Sequence, residues 1–181
     1  MSKARQAAFT ALFIAMSVVL TRFASVRVAI AGVEGIRIGF GSLPNIMAGI
    51  LLGPVYGAIS GAFSDIIGFV LSPMGGYMPH FTVSAGVMGA LPGLVLVLLR
   101  KARLSRRIPE WFETVLAVGT GVIVVSWGLT PYFLNTLYGL PRAAIMLPRI
   151  VAALIEIPAY SVIIRSVSVS YVRLTARNKP A

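Results

Sequence analysis

Three charged side chains, Asp65, Arg149 and Glu156, interrupt stretches that are otherwise almost wholly apolar. Each would cost roughly 2.5 to 3.5 kcal/mol at the centre of a lipid bilayer unless paired or hydrated. Arg149 and Glu156 are seven residues apart, so two helical turns put them on one face at different depths. Two arrangements satisfy these charges. One is a structural ion pair, Arg149–Asp65 or Arg149–Glu156. The other, which is favoured, is a polar ligand pocket opening outward. Tyr77, His80, Phe81, Tyr132, Asn135 and Tyr138 concentrate polar and aromatic groups in the same outer segments. Aromatic residues also anchor proteins at membrane interfaces, so no single tyrosine is diagnostic. Their convergence with Arg149 and Asp65 is what points to a site for a flat, anionic solute.

The elements that must position these groups follow from composition. Only 12% of the 181 residues are charged and 57% are hydrophobic. Soluble domains average about 25% charged, so lipid is the expected solvent and a single transmembrane domain, 1–181, the expected organisation. A span needs about 20 apolar residues, fewer where protein lines it. Six such segments can be drawn, at about 7–23, 40–53, 55–71, 81–99, 114–130 and 143–165. Gly53-Pro54 splits the second from the third, because proline lacks an amide donor and disfavours helix at the preceding residue. The predicted fold class is therefore all-α, an integral membrane six-helix bundle.

Most of the sixteen basic residues lie beside apolar segments: Lys3 and Arg5; Arg100, Lys101, Arg103, Arg106 and Arg107; Arg173, Arg177 and Lys179. The positive-inside rule makes these ends cytoplasmic and places both termini in the cytoplasm. Charge placed this way marks a membrane boundary rather than a nucleic-acid partner, despite the net +11. Three connections then face outside, at 24–39, 72–80 and 131–142. The first alternates in the manner of a small β-hairpin around Gly32-Val33-Glu34-Gly35, able either to lie over the bundle as a lid or to serve as a plain connection.

Small residues recur every fourth position in two places. Ala7, Ala11 and Ala15 form a stripe on the first helix, and Gly49, Gly53, Gly57 and Gly61 run through the second and third segments. Such stripes let helices approach closely in lipid. Packing within the bundle is the expected role of the glycines; the alanines are suited to a partner helix as well. Pro131 is expected at the outer start of a helix.

Other chemistries find little support. There is no cysteine and one histidine, so a metal site or resident cofactor is not expected. Ser60 lies in a Gly-Ala-Ile-Ser-Gly run, but the spacing is not that of a nucleophile elbow, and His80 falls on the opposite side of the membrane. No G-x-x-x-x-G-K-[ST] loop is present, so ATP-driven transport would require an ATPase on another chain. Six short helices without internal repeats also make a poor alternating-access carrier.

The stretches Arg37-Ile-Gly-Phe-Gly-Ser-Leu-Pro44, Ala48-Gly-Ile-Leu-Leu-Gly-Pro54 and Gly61-Ala-Phe-Ser-Asp65-Ile-Ile-Gly68 resemble the substrate-binding S components of energy-coupling factor (ECF) vitamin transporters. The segments Pro73-Met-Gly-Gly-Tyr77-Met-Pro79-His80-Phe-Thr-Val-Ser84, Leu129-Thr-Pro-Tyr-Phe-Leu134 and Leu147-Pro-Arg149-Ile150 are similar to the folate-specific branch. The resemblance runs from about residue 7 to 160. It departs from the family pattern at His80, where glycine is usual, and at Ala152 and Ala153, where a basic residue and an asparagine are common. A related pterin, or another vitamin such as pantothenate or biotin, is the alternative ligand.

What the resemblance implies is a six-helix bundle that binds folate in an outward pocket and docks on a transmembrane coupling subunit with two ATPases. Ala7, Ala11 and Ala15 map onto the docking stripe of such proteins. Arg149 would take a glutamate carboxylate bidentately. Asp65 or Asn135 would bond the pterin edge, and Tyr77, Phe81 or Tyr132 would stack on its ring. His80 and Arg37 complete the expected ligand contacts.

Overall fold

The structure, a computed structural model, describes residues 2–23, 25–30, 33–73, 76–104 and 108–177, with the side chains of 24–38, 143–144 and 169–177 outside the description. Arg37 as a side chain, the turn residue Gly32, and Arg106, Arg107 and Lys179 of the basic clusters therefore lie outside the described residues.

Among the described residues, seven α-helices and one two-stranded ladder form the main elements. They are α1 (Lys3–Phe23), β1 (Ser25–Ile30), β2 (Val33–Gly39), α2 (Leu43–Leu52), α3 (Pro54–Leu71), α4 (Pro79–Lys101), α5 (Glu110–Ile123), α6 (Thr130–Tyr138) and α7 (Arg142–Arg177). β1 and β2 pair antiparallel from Ser25↔Gly39 to Ile30↔Val33, with a register shift between Val28 and Ala29 that marks a β-bulge.

Among the described residues, five helical segments are long and apolar enough to cross a membrane: Lys3–Phe23, Pro54–Leu71, Pro79–Lys101, Glu110–Tyr138 and Ile145–Ser168. The sixth apolar stretch, Phe40–Leu52, is shorter, and its α-helical part is only ten residues. At 1.5 Å per residue α2 is about 15 Å long, half the hydrocarbon thickness. Its short length matches its position, since Leu43, Ile46, Met47 and Ala48 are all buried in the core. The core continues through Phe13, Met88, Val118, Val122, Ala153 and Tyr160, from α1, α4, α5 and α7.

The fifth predicted span changes character. α5 and α6 form one continuous helix, joined by a π-helical segment, Val124–Leu129. Pro131 causes this. It has no N–H for the Trp127 carbonyl, and its ring would clash with that carbonyl in a regular α-helix. The widened segment shifts the pattern, so the Thr130 N–H bonds the Val125 carbonyl, which Thr130 Oγ1 also engages at 2.9 Å. Pro131 thus sits inside a helix rather than at its outer start. π segments of this kind occur often at functional sites.

Helix α4 crosses α2 and α3 at backbone contact. A Cβ on Gly49 or Gly57 would strike the Gly89 carbonyl oxygen, and one on Gly61 would strike that of Ala85. Reciprocally, a Cβ on Gly89 would meet Gly57 O and one on Gly93 would meet Gly49 O. Gly53 departs from the stripe. Nothing lies within 4 Å of its Cβ position; its φ of 112° turns the corner between α2 and α3, a conformation that favours glycine. Three of the four glycines pack and the fourth bends the chain.

One polar knot sits in this apolar interior. Asn45 Nδ2 donates to Ser17 Oγ and Ser64 Oγ, each at 3.0 Å, and Ser60 Oγ donates to Asn45 Oδ1 at 2.7 Å. Ser17 passes its own proton to the Gly41 carbonyl at 2.6 Å. Every member is satisfied, as burial in a low-dielectric interior requires. The knot ties α1, α2 and α3 together, and it also spends the Ser60 hydroxyl, leaving it no histidine partner for nucleophilic chemistry.

Candidate functional site

A cavity lies at the end of the bundle where β2 ends and the 72–78 connection passes. Its floor is built by small hydroxyls and amides of the core, including Ser17, Asn45, Ser64 and Ser84. Val125, Ser126 and Thr130 enter from the π-helical segment, so the Pro131 distortion shapes one wall. Arg149 and Glu156 line it from α7, Asp65 from α3, and Tyr77, Phe81, Phe69 and Met78 supply the apolar surface. Arginine, two carboxylates and aromatic rings thus share one concavity, the combination expected of a site for a polar ligand with a flat body.

Asp65 is held within this wall. Thr82 Oγ1 donates to its Oδ2 at 2.7 Å, and the Thr82 hydroxyl lies 2.8 Å from Tyr77 Oη. Tyr77 in turn packs on Phe69, ring centroids 5.2 Å apart. Arg22, at the end of α1, donates from Nη2 to the Gly68 carbonyl at 3.2 Å and braces α1 against α3. On α7, Tyr160 is buried; its hydroxyl donates to the Gly39 carbonyl and lies 3.1 Å from Ser42 Oγ. Glu156 Oε1 accepts the Gly39 N–H at 3.4 Å. Both backbone polar groups of Gly39 are therefore engaged by α7.

Of the residues singled out by sequence, Asp65, Tyr77, Phe81 and Arg149 come together in the cavity. His80, Tyr132 and Asn135 are not among its lining. His80 stacks in an aromatic group with Phe81, Phe133 and Tyr138, at centroid distances of 4.5, 5.1 and 6.2 Å. Tyr132 is exposed and edges against Phe133. Asn135 Nδ2 donates to the Leu140 carbonyl at 3.0 Å, closing the end of α6. The floor hydroxyls escaped sequence reasoning. A serine in a helix ordinarily returns its proton to the turn before it, as Ser84 does to the His80 carbonyl, so it carries no signal of its own. Asn45, an amide in an otherwise apolar helix, was the available clue. Among the described residues no group of three or more His, Asp or Glu is placed to hold a metal ion.

Along α1, Ala7, Ala11 and Ala15 are exposed, while Thr10, Phe13 and Ser17 face the bundle. The alanine stripe is thus the unpacked face of the first helix.

A set of membrane-length helices enclosing a polar cavity at one end of the bundle defines a membrane-embedded solute-binding protein. The sequence model of the family described as "ECF-type riboflavin transporter, S component" matches residues 1–173, and the chain belongs to this family of ECF transporter S components. It is a transporter component and a multi-pass membrane protein rather than an enzyme. Among curated proteins, the folate transporter FolT of Clostridium novyi (strain NT) is 32% identical over 181 residues, all of this chain and 98% of the relative. The crystal structure of FolT bound with folic acid superposes with a TM-score of 0.68 at 27% identity, covering 86% of this chain and 88% of that one. The biotin S component of an ECF-type ABC transporter, at 20% identity, shares the fold with a TM-score of 0.69, covering 93% and 94%.

Proposed function

We propose that this chain captures folate, or a closely related pterin, from outside the cell and presents it to an ATP-driven ECF coupling module. The observation that carries the reading is the meeting of Arg149, Asp65 and the rings of Tyr77 and Phe81 in one cavity. The full-length likeness to a folate transporter supports the choice of vitamin. Arg149 takes a carboxylate of the glutamate tail through its planar fork. Tyr77 and Phe81 stack on the heterocycle. Asp65 orders Tyr77 through Thr82 and faces the ligand from α3. His80, Tyr132 and Asn135 support this wall from behind, backing Phe81 and fixing the end of α6.

The bundle crosses the membrane six times, the short α2 completing one passage within the protein interior. Both termini and the Arg100–Arg107 connection face the cytoplasm, where the basic residues accumulate, and the hairpin end faces outward. A thermal-shift screen of water-soluble vitamins on the purified protein tests the ligand. A ligand at 100 times its Kd stabilises the folded state by about 2.7 kcal/mol, so folic acid should raise the melting temperature while pantothenate and biotin leave it unchanged. A rise with biotin or pantothenate alone would move the assignment to another vitamin within the family.

Transport needs partners: a transmembrane coupling subunit and two ATPases, docking along Ala7, Ala11 and Ala15. The exposure of this stripe supports that role. Ala11→Trp should leave folate binding by the isolated protein within about twofold, since the side chain points away from the bundle. The same change should abolish uptake in cells carrying the coupling module, because small residues are what allow close helix approach. Unimpaired uptake by Ala11→Trp would exclude the stripe as the docking face.

A further inference from the structure

Glu156 lines the same cavity as Arg149 and stands seven residues further along α7. At 1.5 Å per residue the two are about 10 Å apart along the helix axis. That spacing suits a ligand with an anionic tail, a rigid bridge and a hydrogen-bonding edge at its far end. The Gly39 N–H reaches Glu156 Oε1 at 3.4 Å, beyond the usual range of about 2.7–3.2 Å. A carboxylate offers about four acceptor sites, so the long Gly39 bond and the neighbouring Tyr160 hydroxyl still leave it capacity for a ligand. Asp65 is engaged differently. Its 2.7 Å bond from Thr82, itself joined to Tyr77, holds the start of α4 to α3.

We propose that Glu156 is the specificity-determining residue of the cavity, and that its carboxylate takes two parallel hydrogen bonds from the 2-amino and N3–H groups of a 2-amino-4-oxopteridine. This assignment rests on the folate reading above and adds to it the group that reads the heterocycle. An ionised carboxylate only accepts hydrogen bonds, so it demands two adjacent donors. The pterin edge provides them. The isoalloxazine edge of a flavin instead presents one N–H between two carbonyls, so one carboxylate oxygen would face a carbonyl oxygen across a dry contact. Repulsion of that kind rejects the wrong ligand as effectively as attraction selects the right one. Glu156 thereby separates this chain from flavin-binding members of a family whose description names riboflavin. Tyr160, one turn on, fixes the Gly39 peptide beside the carboxylate and so acts as a positioning residue.

The test compares folic acid with 2-desamino-2-methylfolic acid, which lacks one of the two donors, by equilibrium binding to purified protein in detergent. The wild type should prefer folic acid about 10- to 150-fold, the range for a hydrogen bond to a charged acceptor. Glu156→Gln keeps an oxygen for Gly39 but loses one acceptor, and should bring the ratio below about fivefold. Glu156→Asp withdraws the carboxylate by one methylene and should also depress the ratio, which covers failure of the first variant to fold. Arg149→Ala should weaken both ligands alike and leave the ratio standing. A ratio unchanged in both Glu156 variants, or one that collapses only in Asp65→Asn, overturns the role of Glu156 while leaving folate as the ligand. Absence of folic acid binding by the wild type overturns the folate reading itself.

Discussion

Arg149→Ala is expected to weaken folate binding by about 30- to 5,000-fold, the effect of removing one partner from a buried charge pair at about 2–5 kcal/mol. The loss has two sources. The ligand carboxylate forfeits a bidentate charge-assisted contact, and it must still leave water for a cavity that no longer compensates it. Arg149→Lys keeps the charge without the planar fork, so it should fall between wild type and alanine. Arg149 also offsets the charge of Glu156, two turns further along α7, so the melting temperature without ligand should fall as that carboxylate loses its counter-charge, and the ligand-induced rise should disappear as well. Titration of the purified variants with labelled folic acid checks both. An Arg149→Ala protein that binds like wild type would remove Arg149 from the site.

Gly89→Val is expected to prevent accumulation of folded protein. The added Cβ would collide with the Gly57 carbonyl oxygen on α3 and come within 3.3 Å of the Asn45 carbonyl oxygen on α2. Both obstacles are backbone, so no side-chain rotation relieves them, and α4 must be pushed off two helices together. Overpacking typically costs about 1–3 kcal/mol where side chains can yield, and this site falls at or above the upper end. The floor of the cavity would be lost as well, since Asn45 and Ser84 lie across the same crossing. Gly68→Ala provides the contrast: nothing lies within 4 Å of its Cβ position, and alanine is the better helix former by up to about 1 kcal/mol. Size-exclusion profiles and melting curves of the two variants should diverge. A monodisperse Gly89→Val protein with wild-type melting would contradict the packing described for α4.

The long apolar helices were legible in the sequence because bilayer thickness imposes length and composition together. Asp65 and Arg149 were legible for a related reason: a charge in an apolar helix has few explanations. α2 was harder, since ten apolar residues look the same whether they cross lipid or sit inside a bundle, and only the burial of Leu43–Gly49 distinguishes the two. Pro131 read as a helix start because proline favours the first turn, whereas the chain kept the helix and widened it. The glycine stripe hid a second role for the same reason. Spacing cannot tell Gly49, Gly57 and Gly61, which admit a neighbouring backbone, from Gly53, which needs its positive φ. His80 and Tyr132 had the right residue type, but both rings pack on Phe133 and neither lines the cavity. Glu156 shows the reverse. Its charge was visible, yet its place beside Gly39 depends on a contact between residues 117 positions apart, which no local pattern records.

The most direct measurement of the central claim is equilibrium binding of labelled folic acid to the purified, detergent-solubilised chain without any partner subunit, with unlabelled folic acid and riboflavin as competitors. Saturable binding at one site per chain, displaced by folic acid and unaffected by riboflavin, is the predicted result. Displacement by riboflavin at comparable concentration, or no saturable folate binding by well-folded protein, would contradict it.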